Sequence, residues 1–253
     1  MHVLLTGASS GIGEGLARCF GAAGHRLSLV ARREDRLRAI AADIPDASVL
    51  PRDLLDPQSV DSLVADAEAV LGPVDVLVNN AGMQILARSH QLDPDRAERL
   101  MALNLLVPMR LTRQVLPGML ERDRGTVVDI ASVAAFAGQP FGVHYATSKA
   151  GLAAAGRQLR WELKGTGVNV LTVYPGPIHT EMGHGAMSAY TEDPSGGMLP
   201  WGTCDELGRR ILRAVDRRQD ELVYPSVYRV AKWIPALTTL VTRFVRADLA
   251  REM

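Results

Sequence analysis

The sequence has few cysteines. Cys19 and Cys204 are the only two in 253 residues, which is too few for the disulfide framework of a small secreted domain. A secretory leader is not visible either, because the short apolar run at the N-terminus passes straight into Thr6 and Gly7. We therefore expect a protein of the reducing cytoplasm, in which Cys19 is a small core residue.

Charge of one sign is not in excess, since Lys plus Arg and Asp plus Glu amount to 28 each. Without an overall positive field to attract phosphates, we expect no nucleic-acid partner. Apolar runs of about 18 residues, the length that spans a membrane, are missing. There is no internal repeat and no low-complexity linker, so we predict a single domain of a size common among α/β proteins.

Short apolar runs alternate with helical patterns along most of the chain. After the first strand, runs typical of strands occupy residues 26–31, 48–51, 74–78, 126–130 and 168–173. Helical patterns occupy residues 33–42, 57–71, 93–103, 105–122 and 145–164. This alternation predicts parallel βαβ units in a three-layer α/β/α Rossmann fold with a doubly wound sheet, whose ligands bind at the carboxyl ends of the strands.

Three glycines follow the first strand. Val3-Leu4-Leu5-Thr6 leads into Gly7, Gly11 and Gly13, after which Leu16 and Phe20 recur at helical spacing. Glycine lets the chain turn tightly and lets backbone N–H groups approach a pyrophosphate at the helix N-terminus. A plain turn explains an isolated glycine triplet equally well. The position of this one, after the first strand of an α/β pattern, favours a dinucleotide site.

The end of the second strand indicates which dinucleotide is bound. An acidic residue there accepts the ribose 2′-OH of NAD, whereas arginine accommodates the 2′-phosphate of NADP. This chain has Arg32 and Arg33 at that point, and a guanidinium offers the forked donors that suit a phosphate. We predict NADP(H) as the cofactor. The alternative is that both arginines are solvated residues at the start of a helix.

With these residues the sequence resembles the short-chain dehydrogenases/reductases over residues 2–224. Residues 6–13 match the TGxxxGxG turn, residues 79–82 the NNAG strand end, and residues 145–149 the YxxxK motif. The resemblance implies a catalytic tetrad of Asn104, Ser132, Tyr145 and Lys149. It also implies that the cofactor is bound by Gly7, Ser9, Ser10, Gly11, Ile12, Gly13, Arg32, Arg33, Asp53, Leu54, Asn80, Ala81, Gly82, Tyr145, Lys149, Pro175, Gly176, Ile178 and Thr180.

The chemistry of Tyr145 and Lys149 also follows from their spacing. Residues four apart on a helix share one face and can act on one ligand. A free phenol has a pKa of about 10, and bringing it near 7 requires roughly 4 kcal/mol of stabilisation of the phenolate. The ammonium of Lys149 can supply part of that, which makes Tyr145 a general acid and base at neutral pH. An amphipathic pair on a surface helix would show the same spacing.

The other two residues of the predicted tetrad have simpler alternatives. Ser132 directly follows an apolar strand, where its hydroxyl can hydrogen-bond a carbonyl oxygen, although serine ends many strands. Asn104 lies in an apolar helical run, in which asparagine is a poor helix former and a buried amide needs partners. By the resemblance, Asn104 holds a water that relays protons through Lys149 to Tyr145. The alternative is a helix break satisfied by local backbone.

Together these residues predict an enzyme that transfers hydride between NADPH and a carbonyl carbon, with Ser132 and Tyr145 bonded to the carbonyl oxygen. A non-catalytic NADPH-binding sensor or scaffold is one alternative, but it would not need all four tetrad residues; a 3-oxoacyl thioester reductase is the other. Residues 181–202 resemble the family's substrate lid, and their methionines suit an apolar ligand. His90, His144 and His179 border the motifs at a spacing that fits no metal site, so we predict no metal.

The C-terminus departs from family members that reduce 3-oxoacyl thioesters, because the glycine-rich last strand with a Gly-Gly ending is missing. We therefore divide the chain into a catalytic domain, 1–225, and a tail, 226–253. Apolar residues form a helical stripe in this tail, interrupted at Pro235: Val227, Val230, Ala231, Ile234, Leu237, Leu240, Val241, Phe244, Val245 and Leu249. The stripe can cap the pocket or pack on the body, form a dimer contact, or lie on an anionic membrane. We expect a homodimer or homotetramer.

Overall fold

A parallel sheet is the centre of the structure, a computed structural model that describes residues 1–192, 200–233 and 247–250. Within these residues the strand order is β3-β2-β1-β4-β5-β6-β7. The strands are β1 (His2–Thr6), β2 (Arg26–Ala31), β3 (Ala47–Pro51), β4 (Val76–Asn79), β5 (Gly125–Ile130), β6 (Val168–Pro175) and β7 (Glu221–Tyr224). Winding reverses between β1 and β4, which is where such sheets bind ligands. The predicted single α/β domain with a doubly wound parallel sheet is confirmed.

Helices cover both faces of the sheet. They are α1 (Gly11–Ala22), α2 (Glu34–Ala41), α3 (Pro57–Asp61), α4 (Leu63–Leu71), α5 (Pro94–Met101), α6 (Val107–Glu121), α7 (Val143–Glu162), α8 (Glu181–Ser188), α9 (Cys204–Asp216) and α10 (Arg229–Trp233). Leu16 of α1 and Ile211 of α9 pack with Val3 and Leu5 on one face, whereas Leu111 of α6 packs with Leu4 on the other. Because both faces are covered, the strands are continuous apolar runs.

Two helical predictions differ from the structure in detail. The predicted helix 57–71 is divided into α3 and α4 at Ser62, whose hydroxyl donates to Asp66 Oδ2 at 2.8 Å. The predicted helices 93–103 and 105–122 are joined through a π-helical turn, Ala102–Leu106, that connects α5 to α6. At Asn104, where a helix break was the alternative reading, the structure thus has a local change of winding.

The last part of the sheet was not predicted. β7 pairs with β6 in parallel, and α9 packs against α1 through interlocking small residues. A Cβ on Gly15 would lie 2.8 Å from Cβ of Cys204, and a Cβ on Gly208 would lie 2.7 Å from Sγ of Cys19. Cys19, expected in the core, is half-buried at this contact between two helices.

Candidate active site

The glycine turn joins β1 to α1 at the carboxyl edge of the sheet. Gly7 and Gly11 have φ of +67° and +56°, a region that favours glycine. A Cβ on Gly13 would lie 2.6 Å from Nδ2 of Asn80 and overlap the carbonyl of Gly7. Within the described residues the N-cap, Ser10, makes no side-chain hydrogen bond to the first turn of α1. The N–H groups of that turn are therefore open to an anion in the cleft.

The ends of β1 and β4 are tied together beside this turn. Asn80 donates through Nδ2 to the carbonyls of Thr6, at 2.9 Å, and Gly7, at 3.1 Å. The hydroxyl of Thr6 accepts from the backbone N–H of Asn80 and of Ala81, and donates to the carbonyl of Val78. The side chain of Asn80 thus holds the glycine turn in position from behind.

The two arginines after β2 lie at the same end of the cleft but differ in their partners. Arg33 crosses to Ser9 and donates to its hydroxyl from Nη2 at 3.0 Å and from Nε at 3.2 Å. Arg32 is exposed, and no hydrogen bond or ion pair engages its guanidinium in the described part of the chain. Arg32 is thus available to a ligand, whereas Arg33 is braced against the glycine turn.

The loop after β6 closes the cleft from the other side. Gly176 lies under the ring of Tyr228, and a Cβ on Gly176 would be 2.6 Å from Cε2 of that ring. Thr180 caps α8 by accepting from the N–H of Gly183 at 3.0 Å. A Cβ on Gly11 would lie 3.1 Å from Cγ2 of Thr180. The N-termini of α1 and α8 therefore meet across the cleft, where both helix dipoles favour a phosphate.

One cleft, about 710 Å³ in volume, contains all the predicted cofactor residues. Asp53 lines it near the adenine end expected from the resemblance, and its Oδ1 accepts from the N–H of Leu55 at 3.0 Å. The predicted residues along its wall are Gly7, Ser9, Ser10, Gly11, Ile12, Gly13, Arg32, Arg33, Asp53, Leu54, Asn80, Ala81, Gly82, Tyr145, Lys149, Pro175, Gly176, Ile178 and Thr180. Residues from six separate segments of the chain thus border a single space.

Three of the four tetrad residues lie together on this wall. Ser132 follows β5, accepts a hydrogen bond from the N–H of Ala134 at 3.1 Å, and lies beside the hydroxyl of Tyr145. Lys149 lies one turn after Tyr145 on α7, with Nζ 6.0 Å from the centre of the Tyr145 ring. This ammonium donates to the carbonyl of Ile130 at 2.8 Å. A phenol, an alcohol and an amine therefore converge on one point of the cleft.

Asn104 lies behind that wall, in the π-helical turn, and is fully buried. Its Nδ2 donates to the carbonyl of Met83 at 2.8 Å and to the hydroxyl of Ser148 at 3.1 Å. Its Oδ1 accepts from the N–H of Met83 at 2.8 Å. The amide thus fixes the loop after β4 against α7. The proton relay through Asn104 stays a prediction, and the side-chain amide is already occupied by these partners.

The rest of the cleft is mainly apolar. Its lining includes Met83, Val133, Met182, Ala186, Met187 and Trp201, with Gln84, Gln139 and Tyr190 as polar members. The rings of His179 and His184 stack on Trp201 at 5.0 and 4.9 Å between centroids. Gly196, Gly197, Met198 and Leu199 of the predicted lid lie outside the described residues. The described part of the lid begins with α8.

The tail contacts the body at both of its described parts. Lys232 of α10 pairs with Glu221 of β7 and lies 4.3 Å from the ring of Tyr174. Leu249 pairs with Tyr190 after α8, and Asp248 forms an ion pair with Arg88 at 2.6 Å. No helix of the described chain has the length and apolarity to cross a bilayer. The predicted stripe residues Ile234, Leu237, Leu240, Val241, Phe244 and Val245 lie outside the described residues, as does Pro235, which was predicted to interrupt the stripe.

Comparison with known proteins identifies the family. A family model described as short chain dehydrogenase matches residues 1–190. The chain belongs to the short-chain dehydrogenase/reductase family. A fatty acyl-CoA reductase of Mycobacterium tuberculosis is 38% identical over 259 residues, which cover 99% of this chain and 84% of that protein. A short chain dehydrogenase of Pseudocercospora fijiensis is 37% identical over 186 residues, which cover 71% of this chain and 60% of that protein.

Solved structures agree with this assignment. A short-chain dehydrogenase from Sphingobium yanoikuyae, in complex with NADPH, has a TM-score of 0.81 and 31% identity, and the match covers 97% of this chain and 96% of that one. This dehydrogenase/reductase is therefore an oxidoreductase of an NAD(P)-binding family. Its own residues fit such a cofactor, because the glycine turn leaves no room for a Cβ and the first N–H groups of α1 face the cleft.

Burial controls the charges in the active site of this dehydrogenase/reductase. It raises the pKa of Tyr145, and the neighbouring hydroxyl of Ser132 offsets part of that change. Burial lowers the pKa of Lys149 to about 8, against the opposing effect of the nearby Asp129 carboxylate. Lys149 therefore loses its proton at a lower pH than an exposed lysine does.

Sequence reasoning missed Asp129, which is buried in β5 beneath the tetrad of this dehydrogenase/reductase. The available signal was one charged residue inside the apolar run of residues 127–130. It also missed Tyr228, which covers Gly176 from the tail, and the stacking of His184 on Trp201. These contacts join residues distant in sequence, so no local pattern indicates them.

Proposed function

We propose that this chain is an NADP(H)-dependent oxidoreductase that interconverts a carbonyl group, in a ketone or an aldehyde, and an alcohol on a hydrophobic substrate. The observation that carries the proposal is the convergence of Ser132, Tyr145 and Lys149 on one wall of the cleft, with the ammonium of Lys149 6.0 Å from the centre of the Tyr145 ring. All three border the cleft that begins at the glycine turn. A site for acid–base chemistry and a site for a dinucleotide are therefore adjacent.

Each of these residues has a distinct task in the proposed reaction. NADPH, when bound, supplies the hydride. Ser132 and Tyr145 donate hydrogen bonds to the carbonyl oxygen, and Tyr145 gives it a proton as negative charge develops there. Lys149 stabilises the phenolate that remains on Tyr145. The reverse oxidation uses the same groups, with Tyr145 as the base.

NADP is the cofactor we propose in preference to NAD. The support is the exposed, unengaged guanidinium of Arg32 beside Arg33, together with the NADPH held by the Sphingobium yanoikuyae relative. An alanine double variant, R32A/R33A, loses charge-assisted hydrogen bonds of about 1.5–3 kcal/mol each, so its Kd for NADPH should rise at least tenfold while its Kd for NADH changes little.

The matched control for that experiment is Arg36→Ala. Arg36 is exposed on α2, pairs with Glu14 at 3.7 Å, and does not line the cleft. Its removal should leave both affinities unchanged. An unaltered preference for NADPH in R32A/R33A would refute the role of the arginines without affecting the rest of the proposal.

The substrate that we propose is hydrophobic, because methionines and Trp201 line the cleft beyond Ser132. The relative in Mycobacterium tuberculosis, described as a fatty acyl-CoA reductase, supports acyl thioesters as a second candidate class. NADPH consumption should be measured over ketones, aldehydes, steroids and 3-oxoacyl thioesters. A protein that binds NADPH and consumes none with any of them would instead be the sensor or scaffold.

We also propose that the enzyme is a homodimer or homotetramer. Exposed apolar side chains support this: Leu106 before α6, Met109 in α6 and Val143 at the start of α7 are each about half exposed, at 51%, 49% and 54%. Light scattering of the purified chain tests it, and a monomer at micromolar concentration would rule it out.

A further inference from the structure

A carboxyl group is buried directly beneath the tetrad. Asp129, three residues before Ser132 in β5, is 4% exposed. Its register partners are Asn79 in β4 and Thr172 in β6, so the three side chains form a polar row on one face of the sheet. Asn79 donates from Nδ2 to Oδ1 of Asp129 at 2.8 Å. The row is therefore an ordered element of the core.

Helix α7 lies over this row and leaves a gap for the carboxylate. Lys149, Gly156 and Arg160 are seven and four residues apart, which puts them on one helix face. A Cβ on Gly156 would lie 3.2 Å from Oδ2 of Asp129 and 2.9 Å from Oγ1 of Thr172. Glycine at this position thus gives Asp129 space beneath the helix that carries Lys149 and Arg160.

The two cations are not equally available to Asp129. Arg160 donates to Val170 O and Thr172 Oγ1, both at 3.1 Å, and pairs with Glu221 at 3.6 Å. Lys149 donates only to the carbonyl of Ile130 among the described residues, the residue next to Asp129. Among the described residues, the charge that favours the ammonium form of Lys149 is that of the Asp129 carboxylate.

The titratable groups around the pair are few. On α7, Arg160 acts on Asp129 and the ring of Tyr145 lies beside Lys149, and Glu221 of β7 pairs with Arg160. Burial raises the pKa of Asp129 to about 6, against the opposing effects of Asn79, Lys149 and Arg160. Between pH 6 and 8 the carboxylate and the ammonium are therefore both charged, and each stabilises the other.

We propose that Asp129 is a positioning residue that keeps Lys149 in its ammonium form and thereby sets the pH range in which Tyr145 exchanges its proton. The second half rests on the proposed function. The first half does not, because the coupling between the two charges exists whether or not the chain turns over a substrate.

The coupling between Asp129 and Lys149 can be measured directly, because the chain contains few lysines. The chain has three lysines, Lys149, Lys164 and Lys232, so ¹³Cε-labelled lysine gives three NMR signals. The variants Lys164→Arg and Lys232→Arg assign them. In the wild type, the Lys149 signal should titrate near pH 8. In Asp129→Asn its midpoint should fall by about one unit or more, because an opposite charge nearby has been removed.

Two further variants separate the charge from the packing. Thr112→Val removes the hydroxyl that accepts from Asn79 at 3.3 Å and changes no charge, so the Lys149 midpoint should stay where it is. Asp129→Thr supplies a second uncharged side chain, suited to a strand, if the Asn variant does not fold. An unchanged Lys149 midpoint in either folded Asp129 variant overturns the coupling.

The pH profile of alcohol oxidation tests the second half. Without the carboxylate, less Lys149 is charged at a given pH, so the acid limb of log(kcat/KM) should move to higher pH in Asp129→Asn and stay in place in Thr112→Val. A shifted NMR midpoint with an unmoved acid limb overturns the effect on Tyr145 and leaves the coupling established. Absence of any turnover in the wild type counts against the proposed function alone, since the NMR titration still decides the coupling.

Discussion

Replacement of Gly13 by alanine tests whether the glycine turn forms the pyrophosphate part of the cofactor site. The added Cβ would lie 2.6 Å from Nδ2 of Asn80 and 2.8 Å from the carbonyl carbon of Gly7, and it would overlap the carbonyl oxygen. Carbon atoms in ordinary contact are about 3.5–4.0 Å apart. The turn must therefore move by roughly 1 Å, away from the position in which its N–H groups and those of α1 face the cleft.

Two opposing effects determine how much Gly13→Ala changes the free energy of unfolding. Overpacking typically costs about 1–3 kcal/mol, and alanine in place of glycine in a helix returns about 1 kcal/mol. The net loss of roughly 0–2 kcal/mol corresponds to a fall in Tm of at most about 8 °C for a chain of this size. The cofactor loses more, because each charge-assisted hydrogen bond to a phosphate contributes about 1.5–3 kcal/mol.

The assay is a fluorescence titration with NADPH beside thermal unfolding. The Kd of Gly13→Ala should rise at least tenfold. Gly118→Ala is the matched control, since Gly118 lies inside α6 and its Cβ would meet only the end of the Arg122 side chain, at 2.9 Å from Nη1. That variant should keep its Kd, and its Tm should not fall, because alanine also replaces a glycine inside a helix there. Wild-type affinity in Gly13→Ala would refute the assignment of the turn as the pyrophosphate site.

Two further predictions concern the tetrad. The rate of carbonyl reduction should fall as pH rises through about 8, because Lys149 then loses its proton and no longer stabilises the phenolate of Tyr145. A plot of log(kcat/KM) between pH 6 and 10 measures this fall. A profile that stays flat to pH 10 would contradict the prediction. Asn104→Ala should leave the N–H and the carbonyl of Met83 without their hydrogen-bond partner at 2.8 Å. The loss of stability should be about 1–3 kcal/mol for each unpaired group. A Tm within about 1 °C of the wild type would show that the loop after β4 does not depend on the Asn104 amide.

Local patterns predict much of the fold. The first six strands and their helices follow from continuous apolar runs and helical spacing, because both faces of the sheet are covered. β7 has only four residues, one of them exposed and three partly exposed, so its pattern is too short to indicate a strand. α9 was not predicted, although its sequence contains a capping box. Thr203 precedes Glu206 by three residues, and its hydroxyl accepts from the Glu206 N–H.

Some residues of the candidate active site could also be predicted from local sequence, and others could not. Tyr145 and Lys149 were predicted to share a face because their spacing is set by one helix. Arg32 and Arg33 were predicted as a pair, but only tertiary contacts distinguish them, since Ser9 engages Arg33 alone. Asp129 and Lys149 are brought together by α7 packing across β5, and no periodicity within either segment indicates that contact.

The phenol of Tyr145 is the group on which the proposed chemistry depends. Tyr145→Phe removes that hydroxyl and leaves the ring, Lys149 and the glycine turn in place. Measured with a carbonyl substrate and NADPH, kcat should fall by about 10²–10⁴-fold, while the Kd for NADPH stays within about twofold of the wild type. Turnover retained across carbonyl substrates would contradict the account.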